Sequence, residues 1–230
     1  MQPLEVQEDL AKIHPVEQAK SVFLARDYLV AGKVISLPTD TVYGLACNAN
    51  SQEAVEQLYH IKGRDFHKPV AICVASIQAL RLYGQADHLN DDLLQRLLPG
   101  PITIIVQRTP QLSNPHLNPS TNKIGIRIPK FLFINKLCEL YSDQPLALTS
   151  ANRSAAPSSL KIQEFKELWP HLGGIFDAGP IGLTEEQRSA STVVDLATPG
   201  FYKVVREGVA LKTTLKILEE HGLLSMGASN

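Results

Sequence analysis

SLPTDTVYGL, residues 36–45, is an apolar run that stops at a proline and turns polar at once. Val34, Ile35 and Leu37 form the apolar side. After Pro38 come two hydroxyls and a carboxylate, in Thr39, Asp40 and Thr41, and then Tyr43 and Gly44. This is the pattern of a buried strand ending in a turn that presents polar side chains. In open α/β sheets, ligands gather just beyond such strand ends. The competing reading is an ordinary Thr/Asp turn whose side chains bond their own backbone. Taken alone, the tract does not separate the two.

Outward from this tract the chain alternates helical and strand-like segments. Upstream, Pro15 suits a first helical turn, and Gly32 marks the end of that helix. Downstream, Ser51 is placed to cap a helix carrying Ala54, Val55, Leu58 and Ile61 at helical spacing. That helix stops at Lys62-Gly63-Arg64. Residues 69–75, PVAICVA, read as a fully buried strand, followed by helices over 76–83 and 90–98. Pro99-Gly100-Pro101 breaks the chain before the strand ITIIVQ, 102–107. Residues 109–122, rich in Pro, Asn and Ser, form the longest expected loop and a candidate for mobility. IGIRI, 124–128, alternates, with three isoleucines on one face and Gly125 and Arg127 on the other. A helix over 130–141 and a strand over 145–149 follow, the latter running into SANRSAAPSS. Beyond a helix around 163–169, the tail reads as three short strands (GIFDA, STVVDLA, FYKVVRE) and a helix over 213–221. Strands with helical crossovers imply an α/β fold, and the strand-rich tail makes the sheet mixed.

The chain has 230 residues, 44% hydrophobic and 20% charged, which suits one globular domain that needs no staple. Its net charge of -1 excludes bulk electrostatic attraction to nucleic acid, though not a local basic patch. The 3 cysteines, Cys47, Cys73 and Cys138, sit in apolar contexts and read as buried reduced thiols. The 7 histidines show no metal-ligating spacing. No apolar run reaches membrane-spanning length, and the acidic N-terminus is neither a secretory signal nor a transit peptide. The expected location is therefore cytoplasmic, with a mitochondrial form only if a targeting segment precedes this sequence.

No phosphate-binding G-x-x-x-x-G-K-[ST] or G-x-G-x-x-G is present, and no G-x-S-x-G. Positive groups instead collect at Lys62, Arg64 and Lys68, where they can clamp a polyphosphate or simply finish a helix in solvent. Arg127, with Gly125 beside it, offers a guanidinium for a carboxylate where a glycine leaves room. An edge-strand arginine in solvent reads the same way. Thr149, Ser150 and Asn152 end another strand in hydroxyls and an amide. Ser158, Ser191 and Arg206 complete the set of polar candidates.

The ordered set PTDTVYGL, K-x-R, G-x-R-x-P, T-S-A-N, S-T-V-V-D and V-V-R resembles the YrdC-domain family of L-threonylcarbamoyladenylate synthases, its eukaryotic domain-only branch most closely. The resemblance runs from about Pro15 to Glu220. It implies a single-domain twisted mixed sheet with flanking helices and a large central cavity. The domain would cover residues 15–220, between an N-terminal extension, 1–14, and a C-terminal tail, 221–230. It further implies that L-threonine, bicarbonate or CO2 and ATP give threonylcarbamoyl-AMP and pyrophosphate. The product would serve a separate tRNA threonylcarbamoyltransferase complex that forms N6-threonylcarbamoyladenosine at position 37. Mg2+ would arrive with ATP, held by phosphates and water rather than by a protein cage.

Carried over position by position, the resemblance makes Lys62 and Arg64 catalytic. It gives Arg64, Lys68, Ser150, Asn152, Ser158 and Arg206 to ATP. Thr39, Arg127, Thr149 and Ser191 fall to threonine, with Tyr43 and Gly44 shaping the pocket. One departure is Ala155, where the family often has glycine. Longer members close the cavity with a second domain; here the N-terminal segment or the 109–122 loop is expected to do so. An RNA-binding module using Lys62, Arg64, Lys68, Lys123, Arg127 and Arg206, with weak tRNA contact, is the alternative. A carbamoyl-phosphate enzyme lacks its zinc-binding cysteines here and ranks last.

Overall fold

A computed structural model describes residues 11–63 and 65–227, with Arg64 and residues 1–10 and 228–230 outside it. The strands are β1 (Ile13–Pro15), β2 (Ile35–Leu37), β3 (Gly44–Asn48), β4 (Ala71–Cys73), β5 (Gly84–Gln85) and β6 (Ile102–Arg108). They continue as β7 (Lys123–Arg127), β8 (Leu146–Ser150), β9 (Gly174–Asp177), β10 (Thr192–Asp195), β11 (Phe201–Arg206) and β12 (Leu224–Ser225). All join one mixed sheet in the order β1-β9-β2-β3-β8-β4-β7-β6-β10-β11-β12, with β5 paired to β6. The α-helices are α1 (Ser21–Val30), α2 (Gln52–Lys62), α3 (Ile77–Tyr83), α4 (Asp91–Leu97), α5 (Leu132–Leu140) and α6 (Leu211–Glu220).

The two faces of the sheet are covered differently, and that difference makes the site. On one face Ile72, Ile104 and Ile126 lie side by side, in register across β4, β6 and β7. They join Leu58 of α2, Leu80 of α3, Leu94 of α4 and Leu218 of α6 in the main core. On the other face, α1 and α5 cover only the β2, β3, β8 and β4 end, where Leu29, Phe133 and Leu137 pack on Ala46, Cys73 and Leu146. The rest of that face, over β7, β6, β10 and β11, carries no helix and forms a hollow.

Local signals act where they were read. Ser51 accepts from Ala54 N at 3.2 Å, and α2 ends at Gly63 with φ +55°. The loop 109–122 is tied down by Arg108, which donates to the carbonyls of Leu112, Asn114 and Leu117. Asn118 bridges it to Val70 N and Val70 O at 2.7 and 2.9 Å.

Two expected helices differ. Pro15 ends a strand, because residues 13–15 pair in parallel with β9, and α1 begins only at Ser21. Residues around 163–169 form a 3-10 helix (Ile162–His171), interrupted near Phe165 and containing Pro170. Strand pairing also runs past the expected domain limits, through β1 at one end and β12 at the other. Among the described residues no helix is long and apolar enough to cross a membrane.

Candidate active site

Small side chains open the hollow. Ala71 and Gly125 lie side by side on the uncovered face, and across β8 from them a Cβ at Gly44 would meet Leu148 Cδ1 at 2.6 Å. The result is a cavity of about 440 Å³, within the usual range for small-molecule sites. Thr39, Tyr43, Gly44, Arg127, Thr149, Ser150, Ser191 and Arg206 all line it. They come from five separate stretches of chain that β-pairing brings together. Among the described lining residues the charged groups are two guanidiniums, with no carboxylate, so the cavity favours anions.

Arg127 is 6% exposed, on a strand with a neighbour on each side, so the edge-strand reading fails. Its Nη2 donates to Asp40 Oδ1 and, at 2.8 Å, to Thr41 Oγ1. Asp40 Oδ2 in turn accepts from Lys130 N at 2.8 Å. Arg127 Nε is buried and has no hydrogen-bond partner. A buried donor left unmatched is costly, and an anionic ligand on this guanidinium would offset that cost.

The polar turn of the opening tract proves to be both things that its sequence allowed. Thr39 Oγ1 donates to Val42 O at 2.7 Å and accepts from Thr41 N and Val42 N, a local turn. The same residue lines the cavity. Tyr43 OH donates to Gly179 O at 2.7 Å and bonds Asp177 Oδ1 at 3.1 Å, tying the tract to the end of β9. Burial raises its pKa, so it remains a neutral phenol that shapes the wall.

The opposite wall is the Thr149–Asn152 turn. Lys62, only 1% exposed, drives its ammonium into this turn and donates to Ser150 O at 2.6 Å and Asn152 O at 2.8 Å. Asn152 Nδ2 holds the carbonyls of Arg153 and Ala156, both at 2.7 Å. Ala155 sits at φ +69°, the left-handed conformation that explains why glycine suits this position. At the third wall, Ser191 Oγ lies 2.8 Å from Thr103 Oγ1 and accepts from Arg206 Nη2 at 2.9 Å.

Lys62, Asn152, Ser158 and Lys68 stand behind or beside the cavity rather than in its lining. Lys68 is exposed. Arg64 lies outside the described residues. The 109–122 loop lines a separate open hollow of about 610 Å³ and contributes nothing to this cavity. Lys123, part of the basic set for RNA, is paired with Asp195 at 2.6 Å. All three thiols are buried, and burial pushes Cys73 up to about 12, so none is a nucleophile at neutral pH.

Three participants escaped the sequence reading. Asp40 stood in the quoted tract without a role, although a buried arginine demands a carboxylate nearby. Thr103 was a lone hydroxyl in an isoleucine-rich strand. Gly208 packs so closely on the backbone of Ala190, Ser191 and Thr192 that a Cβ there would collide.

The Sua5/YciO/YrdC family profile, described as "Telomere recombination", matches residues 27–208. The chain is 47% identical over 198 residues to the Bos taurus threonylcarbamoyl-AMP synthase, covering 85% of this chain and 71% of that one. The Homo sapiens threonylcarbamoyl-AMP synthase is 44% identical over 204 residues, 87% of this chain and 72% of that protein. Among solved structures, Pyrococcus abyssi Sua5 complexed with L-threonine superposes with a TM-score of 0.80 at 27% identity. That match covers 94% of this chain, which spans 63% of the archaeal protein.

Proposed function

The chain belongs to the Sua5/YciO/YrdC family, and from that premise we propose that it is a threonylcarbamoyl-AMP synthase. L-Threonine, bicarbonate and ATP would give threonylcarbamoyl-AMP, pyrophosphate and water. The observation that carries this reading is Arg127, a buried guanidinium in the cavity lining with an unmatched Nε. Such a group suits the carboxylate of an amino acid. Ser191, Thr39 and Thr149 surround the same space with hydroxyls that suit a hydroxylated side chain.

MgATP enters as a substrate, its ion held by phosphate oxygens and water. Ser150 and Arg206 face the cavity, and we assign them to the nucleotide along with Asn152, Ser158, Lys68 and Arg64. Lys62 braces the turn that carries Ser150 and Asn152. Once threonine's amine has taken up CO2, its carbamate oxygen attacks the α-phosphorus and pyrophosphate leaves with the bonding electrons. Such transfer needs alignment and neutralised charge rather than a protein nucleophile. Buried, protonated thiols and a neutral Tyr43 are consistent with that requirement. The acyl-phosphate product would then serve a tRNA threonylcarbamoyltransferase in the cytoplasm.

The test is direct. Purified protein with MgATP and labelled bicarbonate releases pyrophosphate and forms a labelled adenylate only when threonine is added. Release that ignores the amino acid, or no release at all, would end the proposal.

A further inference from the structure

Arg188 lies outside the cavity, yet its guanidinium is the most heavily bonded on the site's flank. Nη1 donates to Ser158 O at 2.9 Å and to Glu164 Oε2 at 2.7 Å. Nη2 reaches Glu164 Oε1 at 3.1 Å, completing a two-pronged pair, and Nε reaches Glu185 at 2.9 Å. Glu164 Oε2 also accepts from Leu160 N at 2.9 Å. The pair therefore grips the chain on both sides of Ser159.

Ser159 is where the walls of the cavity meet. Its carbonyl accepts from Tyr43 N at 2.8 Å, in the polar tract. Its hydroxyl donates to Ala151 O at 2.6 Å, in the turn between Ser150 and Asn152. Ala151 N closes the loop by donating to Tyr43 O at 2.7 Å. Two-pronged charge-assisted bonds are the strong and directional kind. With Arg188 holding its charge, the carboxyl of Glu164 stays below the usual carboxylate range.

We propose that Arg188 and Glu164 form a positioning clamp that sets residues 158–160 and, through Ser159, fixes the distance between the two walls of the cavity. Neither side chain lines the cavity. The clamp holds the nucleotide-side turn against the polar tract, while Arg127 is held independently by Asp40. Its catalytic consequence rests on the synthase reading; its structural consequence does not.

The experiment has two arms on Arg188→Ala and Glu164→Gln, the second keeping shape while removing charge. In the first, backbone hydrogen exchange is followed at Tyr43, Leu160 and Ile181 (whose amide donates to Leu160 O at 2.9 Å). The clamp requires faster exchange at these three in both variants, by about tenfold, with α3 and α4 unchanged. In the second, KM for ATP rises about tenfold while KM for threonine moves less than about threefold. The double variant should be no worse than either single one, because the two residues act as a unit. Unchanged exchange at the three amides, exchange rising evenly over the whole chain, or equal rises in both KM values would overturn the clamp. If the wild-type protein releases no pyrophosphate, the synthase reading falls and the exchange arm alone decides the clamp.

Discussion

Arg127 illustrates how one residue's role depends on a partner far away in sequence. A guanidinium that is 6% exposed and unsupported would be expensive to bury. Asp40 neutralises it, and its second oxygen on Lys130 N fixes the carboxylate in turn. The arginine therefore arrives at the cavity already oriented. Asp40→Asn keeps the shape and removes the charge. We expect KM for threonine to rise about tenfold, the worth of one charge-assisted bond, while KM for ATP stays within about twofold. Steady-state kinetics with each substrate varied decides it, and an equal rise for both would refute the pairing's role in amino-acid binding. The arginine and its glycine neighbour were legible in the alternation of IGIRI. Asp40's part was not, because it depends on how the β2–β3 turn reaches across two intervening strands to the end of β7, and alternation carries no such information.

At the scale of elements, the legible parts were those governed by a few consecutive residues. Ser51, Ser76 and Asn90 each cap the helix that follows, with acceptor distances of 3.2, 3.2 and 2.8 Å. Pro15 misled because the competing force was long-range. Val16 N reaches Asp177 O at 2.9 Å, and the parallel pairing with β9 captures the segment before a helix can start there. Gly208 shows the same blindness at a turn. It lies between β11 and α6, against the backbone that leads into β10, so a side chain has nowhere to go. Gly208→Ala must push the Ala190–Thr192 backbone aside and with it the Ser191 hydroxyl that Arg206 holds. We expect a loss of about 3 kcal/mol in urea unfolding, at the upper end for overpacking, together with a weakened threonine requirement. A variant as stable as the parent would show that this turn yields freely.

The whole molecule has two cores of unequal size on the two faces of one sheet, and the thiols report on them separately. Cys47 belongs to the main core, while Cys73 and Cys138 belong to the smaller one under α1 and α5. All three are at most 4% exposed, and burial holds each of them protonated. Labelling therefore needs opening, and the core with fewer covering helices should open first. In mild urea, Cys73 and Cys138 should react together and about tenfold or more ahead of Cys47, read by mass spectrometry of timed samples. Equal rates for all three would mean one cooperative unit. The same measurement joins the fold to the site. Cys73 pairs in register with Arg127, so an opening that exposes this thiol also disturbs the guanidinium proposed to hold threonine. A ligand that binds only the closed form suppresses such opening by mass action, roughly a hundredfold at a hundred times its dissociation constant. Threonine at saturation should accordingly slow Cys73 and Cys138 by that order and leave the ratio of valine-treated to untreated rates near one. If threonine protects neither thiol, Arg127 is not where the amino acid binds, however well its geometry suits a carboxylate.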